Sequence, residues 1–347
     1  MSSELKVAGM EMTVRVVDTV AGLGGLRTVW RQLESVQPAI NPFLSWEWQE
    51  SWWEVFQDSY QPRVLLIFSG EDPVAVVPLC VPQGEPRRLL FAGGEDLSDQ
   101  LGFLSQPGRE GEVAAEVLRW AVASGAELLD LQFLRDWGAE LPALERAADD
   151  LGLSHSSAPQ EVSPALELPA DFEAYLTLRL GKKDRHELRR KLRRLDHERP
   201  GWTLRGPAEL GLEPALDRFL WLLRASRPDK ADFLTPKVER FFRLVAGRLE
   251  ERGWLRLALL EAGGELVAGT FGFCTGGVWY LYNSGYDPAE AHLSPGLLCV
   301  AEGLRGAIAA GCTQADLLRG NEPYKYRLGA QDQFLVRLRV EMEGGSL

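Results

Sequence analysis

Ala121-Val122-Ala123-Ser124-Gly125-Ala126-Glu127-Leu128-Leu129-Asp130-Leu131 and Ala307-Ile308-Ala309-Ala310-Gly311-Cys312-Thr313-Gln314-Ala315-Asp316-Leu317 are one pattern written twice. Five of the eleven positions are identical at an offset of 186 residues. Each copy reads as the end of a helix, a glycine cap, then a strand. Upstream of each copy lies a glycine-acid turn that feeds an apolar strand. Gly70-Glu71-Asp72-Pro73 precedes Val74–Val81, and Gly263-Gly264-Glu265 precedes Leu266–Cys274. A self-similarity that keeps its element order over such a distance predicts two copies of one α/β domain. The 347-residue length fits, because chains beyond about 250–300 residues usually divide into domains. Residues 1–160 are expected to form the first domain and residues 165–347 the second, with the proline- and serine-containing stretch Ser156–Pro169 as the junction.

Composition narrows the classes. Apolar residues make up 45% and charged residues 25%, as in globular proteins, which sets aside a disordered or collagen-like chain. No run reaches the roughly 18 consecutive apolar residues of a membrane-spanning helix, so no membrane span is expected. Glu4, Lys6 and Glu11 leave no apolar segment for a secretory signal, and the expected location is cytoplasmic. Cys80, Cys274, Cys299 and Cys312 have no C-x-x-C spacing, and the four histidines do not complete a zinc site; no metal is expected.

A net charge of −12 argues against DNA as a partner. One segment departs from it. Arg179 to Arg199 holds ten Lys/Arg against four Asp/Glu, and Leu188, Leu192 and Leu195 give it a helical stripe. This is either a solvated helix paired with acidic neighbours or a docking face for an anionic ligand such as a nucleotide or a CoA phosphate.

Several chemistries are absent. Leu176 stands where a P-loop ending in Gly181-Lys182 needs its first glycine, and no dinucleotide fingerprint, nucleophile elbow or H-E-x-x-H pair is present. The informative region is Val278–Asp287, which alternates as a strand, followed by Ser294-Pro295-Gly296-Leu297-Leu298, which opens a helix. A helix N-terminus beside a strand end offers unpaired N–H groups and a positive dipole, which suits a pyrophosphate. An ordinary capped helix reads the same way.

The chain resembles a known family at five places in order: Asn41-Pro42-Phe43-Leu44-Ser45-Trp46-Glu47-Trp48 with Trp52 and Trp53; Leu97-Ser98-Asp99; the basic helix Lys182–Arg194; Tyr282–Asp287; and Asp316-Leu317-Leu318-Arg319-Gly320-Asn321-Glu322-Pro323-Tyr324-Lys325. It is similar to bacterial GNAT-superfamily acetyltransferases of the CelD-like, cellulose-biosynthesis type, distantly related to the Fem-type aminoacyl transferases. That resemblance implies tandem duplicated GNAT-like domains, each a mixed, mostly antiparallel sheet flanked by helices. The first would be non-catalytic or acceptor-binding, and the second would bind acyl-CoA and carry the catalysis.

What the resemblance implies is an N- or O-acyltransferase that moves an acetyl or other acyl group from acyl-CoA to an amine or hydroxyl acceptor. The partner would be a small molecule or a saccharide precursor, as in polysaccharide biosynthesis. The family's acyl-CoA turn has an Arg or Gln ahead of two glycines; Leu293-Ser294-Pro295-Gly296-Leu297-Leu298 keeps one glycine and lacks that leading residue. An aminoacyl-tRNA-dependent transferase and a catalytically inactive binding module of the same fold are the alternatives.

The expected donor-binding residues are Tyr282, Asn283, Ser284, Ser294, Gly296, Leu297 and Leu298. Lys325, beside Tyr324, is the candidate for stabilising developing charge, unless it only pairs with Glu322 or Asp316. Glu322 and Asp99 are candidate bases, and Asp316 is expected to cap the motif loop. Arg185 and Arg319 are candidate substrate contacts. Trp46 is either core, like Trp48, Trp52 and Trp53, or part of a sugar-binding wall. The working cleft is expected between the domains, with Lys325 facing it.

Overall fold

The computed structural model describes residues 12–94 and 96–342, so Glu4, Lys6 and Glu11 lie outside the described residues. Two compact units account for the chain. Unit 1 comprises residues 1–38, 43–160 and 335–347; unit 2 comprises residues 39–42 and 161–334.

In chain order unit 1 begins with β1 (Met12–Val17), α1 (Val20–Leu23), α2 (Arg27–Ser35) and α3 (Trp46–Phe56). There follow β2 (Tyr60–Ser69), β3 (Asp72–Pro82), β4 (Arg88–Phe91), β5 (Leu104–Ser105), α4 (Glu110–Ala123), β6 (Leu128–Arg135), α5 (Glu140–Asp150) and β7 (His155–Val162). Unit 2 opens with β8 (Ala165–Glu167), α6 (Phe172–Leu178), α7 (Lys182–Glu198), β9 (Thr203–Arg205), α8 (Pro207–Leu210), α9 (Leu212–Ser226), α10 (Pro228–Phe233) and α11 (Pro236–Glu251). It continues with β10 (Leu255–Ala262), β11 (Glu265–Thr275), β12 (Val278–Tyr286), α12 (Pro295–Ala309), β13 (Gln314–Asp316) and α13 (Pro323–Arg327); β14 (Phe334–Glu341) comes last.

The two sheets follow one plan. Unit 1 runs β1-β2-β3-β4-β6-β14-β7, and unit 2 runs β9-β10-β11-β12-β13 and then β8. In each an antiparallel meander meets its next strand in parallel, at β4·β6 and at β12·β13, and the crossover is the long helix α4 or α12. The repeated helix–glycine–strand motif is this crossover. Its glycines, Gly125 and Gly311, end their helices in the left-handed conformation, with φ of 77° and 81°.

The last strand corrects the expected domain extent. β14 pairs antiparallel with β6, so the second domain does not run to residue 347; its C-terminal end completes the sheet of unit 1. Asp130 of β6 anchors it, accepting from Arg88 on β4 and from Arg337 on β14, both at 2.7–2.8 Å. Sequence periodicity marks Phe334–Glu341 as a strand and says nothing of which sheet it joins.

In unit 2 the strand alternation feeds two cores. Trp279 and Leu281 of β12 pack with Leu298, Val300, Ala301 and Leu304 of α12 and with Leu188 and Leu195 of α7. The opposite face holds an aromatic layer in which Phe219 of α9, Phe242 of α11, Phe271 and Phe273 of β11 and Tyr282 of β12 touch ring to ring.

Candidate active site

Where β12 meets β13, the sheet opens. β13 matches β12 only at Val278, Trp279 and Tyr280. After Asp316 the chain turns away: the Asp316 carboxylate accepts from the Leu318 N–H at 2.8 Å and from the Ser163 hydroxyl at 3.1 Å, and Leu318 takes a left-handed φ of 57°. Asp316 therefore caps the motif loop, as its position in the repeat implies. From Leu281 onward the β13 side of β12 has no strand partner among the described residues, and a wedge forms.

A β-bulge shapes one wall of that wedge. Phe271 of β11 faces Asn283 while Gly272 faces Leu281, so Tyr282 is the extra residue. A bulge reverses the alternation beyond it. Before it Trp279 and Leu281 face α12; after it Tyr286 faces α12, close enough that a side chain at Gly296 would touch its ring at 3.1 Å. Gly285 turns to the other side, where a Cβ would lie 2.5 Å from the Leu223 nitrogen of α9.

The wedge holds a cavity of about 300 Å³, bounded by Ser284 and Tyr286 of β12, Gly296, Leu297 and Val300 of α12, Glu322 and Tyr324 of the motif loop, and Ser226, Arg227 and Lys230 from the α9–α10 corner. At the helix entrance Pro295 has no N–H and Leu298 donates to Ser294, so the amides of Gly296 and Leu297 have no partner within the helix. Lys191 of α7 reaches this entrance and donates to the Ser294 hydroxyl, and Arg194 donates to the His292 carbonyl. The helix dipole and the Lys191 ammonium both place positive charge at this corner.

The charges inside are tuned by burial. Lys230 donates to the Ser284 carbonyl at 2.8 Å and lies 3.4 Å from the Asn283 side-chain oxygen. Desolvation pulls its pKa down to about 8, with Glu322 partly opposing. Burial would raise the Glu322 carboxyl, but the Lys325 ammonium, 3.0 Å away, and then Lys230 hold it below the ordinary carboxylate range. Burial and the neighbouring Glu322 push the Tyr324 phenol up, against a hydrogen bond with Ser284, so it stays protonated at neutral pH.

Of the expected donor-binding residues, Ser284, Gly296 and Leu297 line the cavity, Asn283 and Ser294 bind the lysines that serve it, and Leu298 is in the core. Glu322 and Tyr324 line it as well.

Other expectations are corrected. The Tyr282 ring belongs to the aromatic layer, because Trp279 and Leu281 face α12 and the next residue of the alternation faces away. Lys325 is 2% exposed. Its ammonium donates to the carbonyls of Leu318, Arg319 and Gly320 at 2.6–3.0 Å, in addition to pairing with Glu322, so it braces the loop. Arg319 supplies one of those carbonyls, and its side chain is half-buried. Arg185 lies near the terminal carbonyls of α6, Leu176 and Thr177, at 3.4–3.5 Å, where the helix end leaves acceptors open. Trp46 is 4% exposed and packs edge-on against Trp30, so it is core with Trp48, Trp52 and Trp53 rather than a sugar wall. Asp99 is buried in unit 1, in the loop after β4.

Lys230, Arg227 and Lys191 escaped sequence reasoning as site residues. A signal for two of them was present: the chain uses Arg 31 times and Lys seven, and three of those lysines, Lys191, Lys230 and Lys325, lie in or around this wedge. A compact ammonium fits a carbonyl cage and can lose its proton; a guanidinium does neither.

Residues 182–326 match the family model of the acetyltransferase (GNAT) domain. Among solved structures the chain is similar to FemX, with a TM-score of 0.66 at 11% identity over 95% of this chain and 97% of that one. It is also similar to a conserved protein of unknown function from Bacteroides thetaiotaomicron (TM-score 0.58, 12% identity, 95% and 100% covered). A third is the C-terminal domain of a putative lysylphosphatidylglycerol synthetase from Agrobacterium fabrum (0.57, 12% identity, 92% of each). No curated protein matches significantly. The architecture is α/β, with two mixed, mostly antiparallel sheets flanked by helices, and the segment that matches the GNAT domain model lies in unit 2. Among the described residues no helix is long and apolar enough to cross a membrane, and no group of three or more His, Cys, Asp or Glu is placed to hold a metal ion.

Proposed function

We propose that unit 2 transfers a short acyl group from acyl-CoA to an amine or hydroxyl of a small-molecule or saccharide-precursor acceptor. The observation that carries this reading is the wedge: an anion-binding corner at the start of α12, a bulged strand edge, and a partly neutral lysine share one cavity.

The roles follow from the chemistry. The Gly296 and Leu297 amides and Lys191 would hold the donor's phosphates. The open edge of β12 beyond Tyr280 would receive the thioester oxygen, as backbone N–H groups stabilise a developing oxyanion. Lys230, with its pKa near 8, would take the acceptor's proton, because a base works best near the operating pH. Tyr324, kept protonated, would supply a proton to the departing thiolate. Glu322, ionised, would hold the acceptor's cationic amine before deprotonation.

The overall charge of −12 favours CoA over tRNA as donor. On and beside α7, Arg189, Arg190 and Arg199 pair with Glu173, Glu187 and Glu290, which neutralises part of the local positive charge. The test is CoA release from acetyl-, propionyl- and succinyl-CoA with a panel of amino sugars, sugar alcohols and small amines. Turnover that disappears in Lys230→Met at unchanged stability supports the reading; turnover only with charged tRNA replaces it.

A further inference from the structure

Unit 2 holds another, partly open cavity, of about 250 Å³, lined by Arg256 and Cys274 of the sheet, Trp279 of β12, and Glu302, Gly303 and Gly306 of α12. At Cys274 it meets another thiol. The Cys274 sulfur lies 3.0 Å from that of Cys312, and both are free cysteines. Non-bonded carbon atoms, smaller than sulfur, rest about 3.5–4.0 Å apart, so the two sulfurs are already closer than ordinary packing brings them. Cys274 is half-buried at the end of β11; Cys312 follows the Gly311 turn that leads from α12 into β13.

We propose that Cys274 and Cys312 are a redox-active dithiol, oxidised by a peroxide or a small-molecule disulfide to an intramolecular disulfide. With a peroxide, the Cys274 thiolate attacks one peroxide oxygen and becomes a sulfenic acid, releasing an alcohol, or water from hydrogen peroxide. The Cys312 thiol then attacks that sulfur, the S–S bond forms, and the sulfenic hydroxyl leaves as water. Two electrons pass from the two sulfurs to the peroxide. With a small disulfide, Cys274 forms a mixed disulfide and expels one thiol; Cys312 displaces the second.

The site is built for that order of events. A hydrogen bond shared with Cys312, and then the nearby Arg256 guanidinium, lower the Cys274 thiol. Cys274, half-buried and lining the cavity with Arg256, is thus the nucleophile, and the buried Cys312 behind it is the resolving thiol. The remaining cysteines are unsuited: Cys80 and Cys299 are fully buried, and burial pushes both thiols up, Cys299 to about 12. The bond would close a ring that contains β12 and α12, tying β11 to the start of β13 at the paired end of the wedge.

The experiment exposes the reduced full-length protein to hydrogen peroxide or oxidised glutathione, then denatures it, alkylates it and maps it by mass spectrometry. The expected result is loss of two of the four thiols, one peptide pair linked through Cys274 and Cys312, and recovery of both with dithiothreitol. Cys312→Ser should leave Cys274 as a sulfenic acid or glutathione adduct, whereas Cys274→Ser should retain all its thiols. The oxidised wild type should melt higher than the reduced. Four thiols still titrating after exposure, a wild-type adduct on Cys274 with no cross-link, or a link through Cys80 or Cys299 would each overturn the proposal. The wild-type map decides the matter even where a variant fails to fold.

Discussion

Replacing Lys325 by Met would show whether the amine braces the motif loop or meets the substrate. Its ammonium serves three loop carbonyls and the Glu322 carboxylate from a site that is almost wholly enclosed. Methionine matches its length and removes every donor. Each orphaned buried acceptor costs about 1–3 kcal/mol, and breaking a buried pair by deleting one partner costs about 3–5 kcal/mol. Because the loop is partly exposed through Glu322 and can take up water, the lower range, about 3–5 kcal/mol in total, is expected. At about 2–4 °C per kcal/mol for a domain of this size, unit 2 should melt roughly 10 °C lower. Differential scanning calorimetry or urea unfolding with circular dichroism reads this directly. A Lys325→Met protein that melts within about 1 °C of wild type, yet no longer transfers acyl groups, would refute the cage and return Lys325 to the reacting atoms.

The other perturbations have equally definite outcomes. The Lys230 pKa near 8 predicts that log kcat/KM of the wild type rises with unit slope below that pH and levels above it, and that any residual turnover in Lys230→Met lacks this rising limb. The same depression means that the unfolded chain binds this proton more tightly, so the contribution of Lys230 to stability rises with pH between about 8 and the free lysine value near 10.5, which pH-dependent urea midpoints would register. Gly285→Ala places a methyl group 2.5 Å from the α9 backbone and should lower stability by about 1–3 kcal/mol through overpacking; an unchanged midpoint would mean that α9 is not held against the bulge. The Asp130 carboxyl is pushed up by burial but pulled further down by Arg337 and Arg88, so its stabilisation is present at neutral pH and lost as pH falls below about 4. Asp130→Asn should remove that acid-dependent part from unit 1 and expose β14 to proteolysis.

The fold was legible because two signals repeat. Gly125 and Gly311 each need a left-handed cap between a helix and a strand, and that requirement writes the same residues 186 positions apart. The destination of β14 was not legible, because alternation specifies a face and not a sheet. In the site, Gly296 and Ser284 could be read from the strand-to-helix junction, a local feature. Lys230 could not: it is contributed by a short helix more than fifty residues earlier and is brought to Ser284 by tertiary packing. Tyr282 was misassigned for a related reason. Alternation alone does not say which face of β12 meets α12, and it cannot reveal the bulge that then turns Ser284 and Tyr286 toward the cavity. Trp46 and Lys325 went the same way, since chemistry-bearing side chains serve the core as readily as a substrate, and only burial and partners tell the two uses apart.

Donor binding in the wedge is the central claim, and isothermal titration of acetyl-CoA into wild type and Gly296→Val tests it most directly. Valine would crowd the Tyr286 ring, already 3.1 Å from a Cβ at this position, and block the approach to the first free amides of α12. The account predicts a saturable one-to-one isotherm for wild type, and affinity at least about tenfold weaker, or about 1.4 kcal/mol, in a variant that still melts cooperatively. No heat from any acyl-CoA with folded wild-type protein, or equal affinity in the two proteins, would contradict it.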